Sequence, residues 1–210
     1  MRLPKFVAVA AVAAFALTVA ACGSDAGDAQ NANPPASAPS SAMTSSPAMV
    51  AGEFGSGCSA VPTDPMNAGS FQAMAQVPVA TAASGNPLLS TLVTAVKQAG
   101  LVDSLNSAED VTLFAPTNDA FAKIPKAQLD QVLADKEKLT KILTYHVVTG
   151  GQLTPETLAG TQMTLEGQNL MVAGSGANFT ANGDAKVVCG NVKTANATVY
   201  IVDTVLMPPA

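Results

Sequence analysis

Val111-Thr112-Leu113-Phe114-Ala115-Pro116-Thr117-Asn118-Asp119-Ala120-Phe121 is a short β-prone run stopped by proline and followed by the capped start of a helix. Its local order is strand, turn, helix. Upstream, Asn86-Pro87 leads into Leu88, Leu89, Leu92, Val93 and Val96 and ends at Gly100. That combines an N-cap, a proline at the first helical position, a 3.6-residue apolar period and a C-terminal glycine, and it is the plainest helix in the chain. Downstream, Leu129, Val132 and Leu133 mark one helical face and Leu139, Ile142 and Leu143 another, while Thr154-Pro155 is expected to open one more turn of helix. From Gln162 the texture changes. Short alternating runs (Met163 and Leu165, Leu170 and Val172, Val187 and Val188) are separated by Gly167, Gly174, Gly176 and Asn182-Gly183, which are hairpin signals. The run from Thr198 to Leu206 reads as a core strand before Pro208-Pro209. Helices come first and a β-meander last, so the expected class is α+β, with helices packed against a small β-sheet.

The other end of the chain predicts export. Arg2 and Lys5 precede an apolar stretch from Phe6 to Leu17, and Val19-Ala20-Ala21-Cys22 follows. This is the layout of a signal peptide over residues 1–21. The apolar run is shorter than the roughly 20 residues a membrane-crossing helix needs, and polar sequence follows at once, so a permanent span is the weaker reading. Val19-Ala20-Ala21-Cys22 resembles the bacterial lipobox, in which small residues precede an acylated cysteine. Cys22 is then the first mature residue and membrane lipid its partner; the alternative is an ordinary cleaved signal with Cys22 incidental. Two or more acyl chains on one residue anchor stably where a single chain binds reversibly.

Residues 22–57 are rich in Ala, Ser, Pro, Gly and Asn without apolar period, which predicts a disordered tether. A flexible coil of about 35 residues holds a domain roughly 30 to 35 Å from its anchor. Residues 58–210 are the expected single folded domain, large enough for a proper core. Past the signal the chain keeps eight lysines and no arginine against fifteen acids, a formal charge of −7. Without arginine or a lysine cluster, nucleic acid is not an expected partner. Cys58 and Cys189 form an even pair in an exported domain, which argues for a disulfide.

Little in the chain suggests catalysis. His146 is the only histidine, which removes multi-histidine metal sites and di-histidine acid-base schemes. Its context, Leu143-Thr144-Tyr145-His146-Val147-Val148, is that of a core histidine bonded to the backbone. Asp119 and Asp203 could be paired for hydrolysis, yet each stands where a helix start or turn wants an aspartate. Asn178-Phe179-Thr180 and Asn196-Ala197-Thr198 match the N-glycosylation acceptor pattern, which carries meaning only where that machinery exists. Phosphate-binding loops, nucleophile elbows and Cys-x-x-Cys pairs do not occur. No catalytic, cofactor or metal residues are therefore expected.

Three segments resemble the fasciclin (FAS1) family: Val111 to Phe121, Leu143 to Val148, and Asn196 to Pro208. They match the family's first conserved box, its Tyr-His box and its second conserved box, in order and spacing, within a resemblance running from about Gly57 to Ala210. Cys58, the segment around Cys189 and the Pro208-Pro209-Ala210 ending resemble more narrowly the mycobacterial secreted and lipoprotein antigens built on one such domain. The resemblance implies a compact wedge of helices and strands with an adhesive or ligand-binding role, and it makes Tyr145 and His146 candidate interaction or structural residues. The integrin-binding motifs of animal matrix members have no match here. The expectation is a monomeric adhesion or protein-interaction domain. It is expected to be lipid-anchored on the extracellular face of the cell membrane, partly in a secreted form, and to meet an unidentified host-matrix or cell-envelope partner. The alternative is a carrier or sensor of a small apolar ligand, recognisable by a deep apolar pocket of about 300 Å³ or more in the folded domain. A hydrolase built on His146 ranks last.

Overall fold

The computed structural model describes residues 52–209; the signal segment and Cys22 lie outside the described residues. Its central feature is the parallel pair formed by the β-prone runs at 111–116 and 197–202. β1 (Val111–Pro116) runs beside β7 (Ala197–Val202), with Leu113 opposite Val199 and Phe114 opposite Tyr200. Every residue of both strands is buried. Side chains alternate between two cores, which is why the two runs are apolar apart from Thr112 and Thr198. Leu113, Ala115, Val199 and Ile201 face a core shared with the helices, while Phe114, Tyr200 and Val202 face the inside of the sheet.

Around this pair the remaining strands are β2 (Val147–Val148), β3 (Gly160–Met163), β4 (Asn169–Ser175), β5 (Asn178–Ala181) and β6 (Ala185–Lys193). The order is β2-β1-β7-β6-β5-β4-β3. The sheet curls until its ends meet: the Leu165 amide donates to the Val147 carbonyl at 2.7 Å and the Thr149 amide to the Met163 carbonyl at 3.0 Å. Inside sit Phe114, Tyr145, Leu158, Leu170, Phe179 and Tyr200, all essentially inaccessible to solvent.

The helices cover one side of the β1–β7 pair. They are α1 (Phe71–Met74), α2 (Val79–Gly85), α3 (Ser90–Ala99), α4 (Val102–Ser107), α5 (Asn118–Ala122), α6 (Lys126–Ala134) and α7 (Lys136–Tyr145). The Asn86-Pro87 signal forms a 3₁₀ turn, with the Asn86 side chain accepting from the Leu88 amide, and leads straight into α3. Gly100 ends that helix in the left-handed conformation at φ 73°. The cap of α5 is Thr117, whose hydroxyl accepts from the Ala120 amide; Asp119 lies in the first turn. Helices and a sheet of seven strands make the domain α+β, as its pattern predicts.

Four local expectations change. Thr154-Pro155 forms a single turn and no helix, because the Thr157 hydroxyl accepts from the Thr154 amide and Leu158 then enters the sheet interior. β7 ends at Val202: the Asp203 carboxylate accepts from the Lys186 amide at 2.9 Å and turns the chain, so Thr204, Val205 and Leu206 leave the strand. Met163 and Leu165 face solvent, at 61% and 50% exposure, and the buried face of that hairpin belongs to Leu170 and Val172. Finally, the folded body begins before Cys58. Phe54 exchanges backbone hydrogen bonds with Gly190 at 3.2 and 2.8 Å, and its ring packs against Phe179 and Tyr200 at 5.6 and 6.2 Å. Residues 52–57, expected at the end of the tether, are part of the domain.

Candidate functional site

α7 carries the residues on which the functional question turns. Asp135 starts it, its carboxylate accepting from the Glu137 and Lys138 amides at 3.1 Å each. Leu139, Ile142 and Leu143 then bury against the helical core. At the C-terminal end the helix delivers two adjacent side chains in different directions. Tyr145 enters the sheet interior, where its hydroxyl donates to the Asn169 carbonyl at 3.1 Å and accepts from the Asn182 side-chain amide at 2.8 Å. Asn182 also accepts from the Met171 amide, from a residue at φ 50° that favours asparagine over most side chains.

His146 stays on the helical side, 1% exposed. Its Nδ1 lies 2.7 Å from the Ile142 carbonyl, and its Nε2 accepts from the Leu206 amide at 3.0 Å. Because an amide can only donate, the network assigns the proton to Nδ1. Burial holds the imidazole far below its ordinary range, down to about 4, against the Ile142 carbonyl, which raises it. At neutral pH the ring is uncharged with both nitrogens engaged. It has no free lone pair for a substrate proton, and neither partner is a nucleophilic side chain.

The space around His146 is apolar and small. One hollow lies between α2, α3 and α4, with Val79, Ala83, Leu92, Val96 and Leu105 in its walls, and a second lies beneath α6, among Phe121, Leu129, Val132, Ile142 and Val205. Leu143 and His146 border both. Each has a cavity volume of about 20 Å³. That is room for about one water, far below the roughly 300 Å³ of a ligand pocket. An open depression of about 520 Å³ on the surface, bordered by Thr91, Asn118, Lys123 and Lys126, is polar-rimmed and exposed to solvent.

The other candidates serve the fold. Asp203 pairs with Lys123 at 3.1 Å and accepts from the Lys186 amide and the Thr204 hydroxyl; burial pushes its carboxyl up, and those contacts together outweigh it and hold the carboxyl below the usual range. It makes no contact with Asp119 among the hydrogen bonds of the described residues. Cys58 and Cys189 are joined by a disulfide with α-carbons 4.8 Å apart, within the ordinary bridging range. Beside it Gly190 leaves room for the Phe54 ring: a β-carbon there would lie 2.3 Å from the ring. Among the described residues no group of three or more histidine, cysteine or acidic side chains is placed to hold a metal, and no single helix is long and apolar enough to cross a membrane.

One residue of structural weight carries a misleading sequence signal. Asn196, part of a glycosylation-like triplet, accepts from the Val79 amide at 2.8 Å and donates to the Leu105 and Ala108 carbonyls at 2.8 and 2.7 Å. It ties α2, the end of α4 and the start of β7 together, so a glycan there is incompatible with the fold. Asn178, in the other triplet, is exposed on β5. No spacing rule distinguishes the two, since the partners of Asn196 lie 88 to 117 residues away in the chain.

A sheet rolled nearly closed, a helical layer over its one parallel pair and a buried Tyr-His corner joining the two define a fasciclin-type domain. The chain belongs to the fasciclin family: the family's model, described as the fasciclin domain, matches residues 87–208. Over 217 residues the chain is 46% identical to the cell surface glycolipoprotein MPB83 of Mycobacterium bovis, covering 98% of this chain and 97% of that protein. It is 48% identical over 176 residues to the immunogenic protein MPT70 of Mycobacterium tuberculosis, covering 80% of this chain and 90% of that one. Among solved structures it resembles a FAS1 domain pair from the insect cell adhesion molecule fasciclin I, with a TM-score of 0.53 and 17% identity over 65% of this chain. The chain spans about half of that solved protein, 52%, and the likeness is one of fold.

Proposed function

We propose that the chain is a surface lipoprotein whose acylated Cys22 holds a fasciclin domain outside the membrane, where the domain mediates adhesion or protein interaction without catalysis. The observation that carries this reading is the 46% identity to a protein named a cell surface glycolipoprotein, which extends over 98% of this chain and so takes in the signal and tether as well as the domain. The lipobox-like Val19-Ala20-Ala21-Cys22 supports the anchor independently. Residues 1–21 are then the signal peptide, and Cys22 begins the tether that leads to the folded domain.

The site supports a binding module over an enzyme. Its one imidazole is sealed, its nitrogens are used by backbone groups, and no nucleophilic side chain is bonded to it. The carrier reading gains no support from hollows of about 20 Å³. Because Tyr145 and His146 are each 1% exposed, the partner meets other residues, and the two shape the binding surface only by holding it together. The mature chain, immobilised through its N-terminus, is the reagent for the test against host matrix proteins and cell-envelope fractions. Saturable retention of at least one of them is expected, unaltered in a folded His146→Gln variant. Hydrolysis of an ester or glycoside that disappears in that variant would replace this reading with a catalytic one.

A further inference from the structure

The segment that follows β7 is held by less than its burial suggests. Val205 and Leu206 are 8% and 3% exposed, with Val205 in the helical core and Leu206 in the sheet interior, so this short stretch closes the seam between the two. After the turn at Asp203, however, the Leu206 amide makes the one backbone hydrogen bond of residues 204–207, and its acceptor is His146 Nε2 at 3.0 Å. The seam hangs on a group that can take up a proton.

We propose that His146 is an acid-released latch: a proton added at Nε2 removes the acceptor of the Leu206 amide, and residues 204–207 detach from α7 while the sheet stays folded. The imidazolium so formed has two donors facing an amide donor and one carbonyl, so the contact with Leu206 turns from attractive to repulsive. Nothing nearby offsets the new charge. The packed elements do bear charges: Lys97 on α3, Asp103 on α4, Asp119 on α5, Lys126 and Asp130 on α6, and Lys136, Glu137, Lys138 and Lys141 on α7. Lys123 and Asp203 stand at the ends of α5 and β7. None of these borders either hollow around the ring, and β1 contributes no charged side chain at all. Burial sets the low affinity of the ring for a proton, and the Ile142 carbonyl only partly offsets it. The β1–β7 pair has its own ladder and does not depend on the latch. The bared surface would comprise Ile142, Leu143 and the vacated seats of Val205 and Leu206, an apolar patch present only in acid.

Amide hydrogen exchange of the uniformly ¹⁵N-labelled mature chain between pH 7 and pH 3 tests this. The protection factor of Leu206 should fall at least tenfold as the His146 ring titrates, while Val199 and Ile201 in β7 keep theirs. In His146→Gln the fall at Leu206 should vanish. Loss of protection at Leu206, Val199 and Ile201 together would show acid unfolding of the whole domain and overturn the latch, as would unchanged Leu206 protection at pH 3. The comparison of Leu206 with Val199 and Ile201 in the unmodified chain decides the matter even if the variant does not fold.

Discussion

Tyr145 and His146, consecutive in the chain, are hydrogen-bonded to different parts of the molecule: the Tyr145 hydroxyl donates to the Asn169 carbonyl of β4, and His146 Nε2 accepts from the Leu206 amide in the seam beyond β7. The end of α7 is thereby fastened to β4 and to the exit of β7 at once. A pair that resembles an interaction motif acts as a rivet between layers.

The rivet makes stability depend on pH with a definite sign. Burial lowers the His146 pKa from 6.5 to about 4, so between these values the unfolded chain binds a proton that the folded chain refuses. Stability is therefore full above pH 6.5 and declines as pH falls towards 4, by about 3 kcal/mol for this group. Denaturant midpoints measured across that window should show the decline in the unmodified chain and a much flatter profile in His146→Gln. Equal profiles would mean that the imidazole is accessible in the folded state.

Removing the disulfide as Cys58→Ser with Cys189→Ser should cost about 2 to 5 kcal/mol, with the upper end set by the long loop it closes. The segment from Gly52 to Cys58 should lose exchange protection before β6 does, since the bridge and the Phe54–Gly190 bonds are what hold it to that strand.

Phe54 supplies a more local check. Phe54→Ala should destabilise the domain by about 1 to 3 kcal/mol, because the ring fills the end of the sheet interior beside Phe179 and Tyr200 yet is only partly buried. Gly190→Ala should cost a similar amount by pushing that ring away. A domain beginning at Cys58 should melt lower than one beginning at Gly52; equal melting temperatures would return these residues to the tether.

For Asn196→Ala the expected loss is about 3 kcal/mol or more, as one substitution leaves the Val79 amide and the Leu105 and Ala108 carbonyls without their partner. Thermal melting measures it directly. A change of less than 1 kcal/mol would mean that water replaces the side chain at little cost.

Much of this architecture is legible in local signals. Asn86-Pro87 and Gly100 delimit a helix because capping and left-handed backbone are properties of a few adjacent residues. The runs at 111–116 and 197–202 are recognisable as core strands because both faces are buried, though nothing local says that they pair in parallel across more than 80 residues. The short helices α1, α2 and α4 escape a periodicity reading, being only four to seven residues long. Phe54 escapes for another reason: the disulfide and the glycine opposite give one aromatic in a polar stretch a place in the core. His146 is legible as buried from its aliphatic neighbours, but its partner Leu206 is 60 residues away and is fixed only once β7 ends at Asp203.

The proposed acylation of Cys22 can be tested directly. Cells expressing the full chain, or its Cys22→Ala variant, can be fed a labelled fatty acid, fractionated, and probed for the protein from outside. The acylated-surface account predicts label on the unmodified chain, its recovery in the membrane fraction and its exposure at the cell surface, with label and membrane retention both lost in Cys22→Ala. A processed Cys22→Ala protein that stays in the membrane fraction, or an unmodified chain that takes up no label, would contradict it.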